Sequence, residues 1–128
     1  MTEVLLRFPV DQLSTDPPKG SNRRKVVLAK DAVIPESLVG IPVRHLHSFT
    51  PDSRVIGQVV MAQMRDQFVY LWAQCTEAPA YRRCSWALTD VHLEDSRARI
   101  WKVLKCIFTE IAIVEKGAFE TASVIGEF

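Results

Sequence analysis

The sequence is short of the features that staple a small chain together or give it a strong charge preference. Only three cysteines occur in 128 residues, Cys75, Cys84 and Cys106, and they form no CxxC pair. This excludes a disulfide framework or a thiolate zinc cage and fits a reducing cytosol. Sixteen basic residues against fifteen acidic ones leave a net charge of +1, so nothing pulls the chain toward nucleic acid or an anionic membrane. No segment approaches the roughly 20 apolar residues that span a bilayer, and no basic stretch leads into an apolar run at the N-terminus. A soluble, unexported protein is expected. Internal repeats and low-complexity tracts are also missing.

What is present suits one globular domain over residues 1–128, with a hydrophobic fraction of 48% and a charged fraction of 24%. Val4-Leu5-Leu6-Arg7-Phe8 reads as a strand or arm, and residues 11–23, rich in Ser, Pro, Asn and Gly, read as a flexible loop. The basic cluster Arg23-Arg24-Lys25 leads into Val26-Val27-Leu28-Ala29 and is expected to be a solvated start of a strand. Two prolines and a glycine in Ile34 to Val43 predict a turn feeding an extended strand. His45 and His47 then alternate with Leu46, which at period two places both imidazoles on one strand face. Runs on either side of Arg65-Asp66-Gln67 suit a hairpin, with the Phe68, Tyr70, Trp72 stripe expected in the core. Ser85 to Val91 and Ile100 to Val114 are further strand material, separated by the polar turn Asp95-Ser96-Arg97-Ala98. Seven or so short strands with little helix predict a mainly β fold, a small closed or partly open barrel or a sandwich.

Ser85, a histidine and Glu110 supply the parts of an activated hydroxyl. A serine is a weak nucleophile until an imidazole takes its proton, and a third group fixes that imidazole's tautomer. Cys84 offers a thiol beside Ser85, but adjacent strand residues face opposite ways, so only one of the two can meet the histidine. The His45, His47 spacing lacks the further ligands of a metal site, and no cofactor is expected.

Four short motifs stand in order: Gly40-Ile41-Pro42-Val43 running into His45-Leu46-His47, the Ile56-Gly57 step, Ser85-Trp86-Ala87-Leu88, and Glu110-Ile111-Ala112-Ile113-Val114. Together, over roughly Val26 to Val124, they resemble the prohead maturation serine proteases of tailed bacteriophages, which are related in fold to the herpesvirus assemblins. The resemblance implies a herpesvirus-protease-like barrel with Ser85 as nucleophile, His47 as general base and Glu110 as the residue that orients it. His45 is the alternative base, and His92 the alternative third member. It also implies phage scaffold or major capsid protein as substrate, a homo-oligomer, and a location in the bacterial host cytoplasm within the assembling procapsid. Ala87 stands where many relatives have glycine, and Ala112 where serine is usual. A catalytically inactive structural or scaffold-binding head component is therefore the alternative function.

Overall fold

Period-two alternation becomes eight strands in the computed structural model, which describes all 128 residues. They are β1 (Thr2–Pro9), β2 (Val26–Leu28), β3 (Pro42–His45), β4 (Arg54–Arg65), β5 (Phe68–Cys75), β6 (Arg83–Leu93), β7 (Trp101–Val114) and β8 (Ser123–Glu127). Two 3-10 turns, Lys30–Ala32 and Pro35–Leu38, are the only helical pieces. The second starts at Pro35, where the fixed φ of proline suits a first helical position.

The strands follow the order β7-β3-β4-β5-β1-β8-β6, and β6 pairs again with β7 to close a seven-strand barrel. β2 lies outside that ring, added in parallel to the first residues of β7. β7 is the hub. It is parallel to β3 over Ile111 to Ile113 and antiparallel to β6 along most of its length.

Cross-strand register fixes which residues point inward, because directly opposed residues project from the same face. Leu6 opposes both Leu71 and Val124, and Cys84 and Trp86 oppose Ile113 and Ile111. Phe8, Leu6, Leu71, Ile111 and Ile113 are fully buried, each contributing roughly 1.5–3 kcal/mol. Residues of opposite parity, among them Arg83, Ser85, Ala87, Glu110 and Ala112, therefore face out of the barrel.

Gly57 lets β4 pass close to β5. A Cβ there would run into the carbonyl oxygen of Gln74 and come within 2.9 Å of Cys75 Cα. The Ile56-Gly57 step thus has a packing reason.

Two expectations need correction. The Phe68, Tyr70, Trp72 stripe is half-buried on the outer face, and Val69, Leu71 and Ala73 between them fill the core. Both faces of β5 are apolar, so alternation alone does not choose between them. His45 and His47 do not share a strand face, because β3 stops at His45 and Leu46 takes a left-handed φ of 64°. Residues 11–23, expected as a flexible loop, run as a strap tied to the body by hydrogen bonds. Ser14 and Ser21 are buried, Ser14 Oγ accepts from the Val26 N–H at 2.9 Å, and the Ser21 hydroxyl donates to the Pro18 carbonyl at 2.7 Å.

β6 is only partly enclosed. It pairs with β8 at Arg83 alone, so from Ser85 onward its second edge is free of strand partners.

Candidate active site

Glu110 sits on the outer face of β7, opposite Ala87 of β6, yet is only 6% exposed. The turn after β3 covers it. Leu46 anchors this turn by donating its N–H to the Ile113 carbonyl at 2.9 Å, and Ser53 Oγ donates to the Leu46 carbonyl at 2.9 Å. The left-handed Leu46 then swings His47 over the β7 surface.

There, His47 Nδ1 lies 2.8 Å from Glu110 Oε2, which also accepts the Ser48 N–H at 3.3 Å. Burial pushes the Glu110 carboxyl up, but the hydrogen bonds from His47 and Ser48 outweigh it and hold the group below its ordinary range. The carboxylate fixes the tautomer: Nδ1 carries the proton and Nε2 is left free as a base. Phe49 stacks on the imidazole with centroids 5.2 Å apart, and Lys19 of the strap caps Phe49 at 3.9 Å.

Ser85 opposes Ala112 on the same outer face, one step along β6 from Ala87. It and His47 both line an apolar groove of about 490 Å³ and an adjoining polar pocket of about 320 Å³. The groove continues past Trp86, Leu88, Trp101 and Phe119, and the polar pocket carries Asp16, Lys19 and Lys116. Ser85 Oγ has no hydrogen-bond partner, so the step from Ser85 to the imidazole is not closed in this structure. Catalytic hydrogen bonds often tighten only when substrate is present.

Sequence reasoning missed two elements of this site. The strap reaches it because the Thr15 and Asp16 N–H groups both donate to the Ala118 carbonyl, at 2.8 and 3.0 Å. Lys116-Gly117-Ala118 packs directly on β6, where a Cβ on Gly117 would sit 3.8 Å from Ser85 Cβ. The N–H groups of Gly117 and Ala118 make no hydrogen bond within the chain. The glycine just after the last long apolar strand was the available signal.

The other candidates lie elsewhere. His45 stacks against Tyr81 with centroids 6.0 Å apart and lines neither cavity. His92 is exposed beyond two register shifts of β6, opposite Lys105, and makes no contact with Glu110. Cys84 points into the barrel with its Sγ 3.6 Å from the Arg7 carbonyl, and burial pushes its thiol up to about 12. It is an inert thiol, not a nucleophile. Arg82, three residues before Ser85, is paired with Glu127 at 2.8 Å. No three His, Cys, Asp or Glu side chains converge as metal ligands.

No protein-family model, curated protein or solved structure matches the chain.

Proposed function

We propose that this chain is a serine endopeptidase of the prohead maturation type, cleaving scaffold or major capsid protein in the assembling procapsid inside the bacterial host. The observation that carries the reading is the His47–Glu110 pair at 2.8 Å, set at a cavity mouth shared with Ser85. Its order along the chain, histidine then serine then carboxylate, is the order of the motifs that resemble that family.

In the proposed reaction, Ser85 Oγ turns to His47 Nε2, gives up its proton and attacks the scissile carbonyl. Glu110 stabilises the imidazolium that forms and holds its ring in place. The Gly117 and Ala118 N–H groups, which make no hydrogen bond within the chain and sit in the loop packed on Ser85, are candidate donors for the oxyanion, an interaction that contributes roughly 2.7–4 kcal/mol in serine peptidases. His47 then protonates the leaving amine, and water releases the acyl group from Ser85 by the same steps. An extended substrate would lie along the free edge of β6, as an added strand whose side chains enter the apolar groove. A homo-oligomer is part of this reading.

The second reading is a catalytically inactive structural or scaffold-binding head component, and the unpartnered Ser85 hydroxyl favours it. A serine-reactive fluorophosphonate separates the two. The peptidase reading expects labelling of the wild type that disappears in Ser85→Ala and falls steeply in His47→Ala. Absence of labelling in folded wild type rejects it and leaves the structural role.

A further inference from the structure

The outer face beside Ser85 carries a pair of arginines with no acidic partner. Arg7 of β1 and Arg83 of β6 both oppose Ser123 of β8, so the three stand in one row across adjacent strands. At roughly 4.8 Å per strand, the two Arg Cα atoms are about 10 Å apart. Neither guanidinium has a carboxylate within 4 Å, because Glu127, the acid of the neighbouring strand end, is taken by Arg82. Both side chains are half-buried, and both Nε atoms are buried with no hydrogen-bond partner. Arg83 uses one donor, Nη2, on the Phe119 carbonyl at 3.2 Å, and Arg7 uses none. Phe68 holds the Arg7 guanidinium in place, 4.3 Å above its ring.

Two like charges, partly desolvated and unpaired, are unfavourable unless an anion joins them. Guanidinium forks match a carboxylate by paired N–H···O bonds. Arg83 lies two residues before Ser85 on the same face, about 6.6 Å along the strand, where β8 takes over the edge of β6, so a peptide added along the free edge at Ser85 would end beside it.

We propose that Arg7 and Arg83, on either side of Ser123, whose hydroxyl donates to the Thr121 carbonyl at 3.3 Å, form a carboxylate-binding subsite that selects an acidic side chain in the peptide presented to Ser85. Identifying the ligand as a peptide substrate rests on the peptidase reading.

The test is an NMR titration of the Ser85→Ala chain, which reads binding without chemistry. The probes are acetyl-Ala-Glu-Ala-Glu-Ala-amide, its Gln counterpart and inorganic phosphate, followed at the Arg Nε–H and Ser123 amide signals. The Glu peptide should reach half-saturation at least tenfold below the Gln peptide. Arg7→Gln and Arg83→Gln should each erase that advantage, and Arg7→Lys, which keeps the charge but loses the fork, should erase most of it. Equal half-saturation by the two peptides, or an advantage that survives both Gln substitutions, overturns the proposal. Phosphate saturating below the Glu peptide also overturns it, since the site would then be a general anion site. Failure of Ser85 labelling in the wild type rejects the peptidase reading without changing the Glu-to-Gln ratio.

Discussion

Replacing Glu110 by glutamine keeps the side chain's shape and one acceptor oxygen but removes its charge. In the wild type, Oε2 accepts from His47 Nδ1 at 2.8 Å and from the Ser48 N–H at 3.3 Å, in a residue 6% exposed. Hydrogen bonds to a charged group contribute about 1.5–3 kcal/mol each, and a neutral one about 1 kcal/mol. Glu110→Gln should therefore destabilise the fold by about 1–4 kcal/mol at pH 7. With a urea dependence of about 2 kcal/mol per M, the middle of the usual range, the unfolding midpoint falls by about 0.5–2 M. The pH dependence has a definite sign. The Glu110 carboxyl is held below its ordinary range, so its contribution is fully present above the unfolded pKa of about 4.3 and is lost as pH falls through the lower folded value. Urea titrations of both proteins from pH 7 to pH 3 should show a midpoint difference at pH 7 that closes below about pH 4.5. A difference that persists unchanged to pH 3, or no difference at pH 7, would refute the account of this carboxylate. At pH 7 the same variant should lose about tenfold in Ser85 labelling rate for each 1.4 kcal/mol of imidazolium stabilisation removed.

His45→Ala should leave the fluorophosphonate labelling rate within about twofold of wild type while His47→Ala lowers it steeply, because only His47 reaches Glu110 and lines the cavity with Ser85. Equal losses in the two variants would reject that assignment. Gly57→Ala should cost about 3 kcal/mol or more in urea unfolding, since its Cβ meets the backbone of Gln74 and Cys75, which cannot give way as a side-chain end does; a near-neutral result would contradict the register of β4 on β5. A disulfide reagent at pH 8 should leave Cys84 untouched in the native protein and reach it only after denaturation, because burial holds its thiol near 12. Rapid native modification of Cys84 would place it outside the barrel.

The mainly β architecture was legible because period two recurs in nearly every apolar run. The β4–β5 hairpin over Asp66-Gln67 follows directly from it. Which face of β5 is the core was not legible, since Phe68, Tyr70 and Trp72 alternate with Val69, Leu71 and Ala73 and both sets are apolar. The site was legible as three residues and illegible as a geometry. His47 reaches Glu110 only because Leu46, a bulky residue seldom found at positive φ, turns left-handed and ends the alternation begun at His45. Nothing in the local pattern announces such a turn, which is held by a long-range bond to Ile113 and a local one from Ser53. The strap and the Gly117 loop were missed for the same reason: their places depend on the Thr15, Asp16 and Ala118 backbone bonds across about a hundred residues.

The central claim is that the hydroxyl of Ser85 is the group activated by the His47–Glu110 pair. Peptide mapping of the fluorophosphonate adduct by mass spectrometry tests it most directly. The account predicts one adduct per chain, carried on Ser85 and on no other serine. An adduct on a different residue, or a folded protein that carries none, would contradict it.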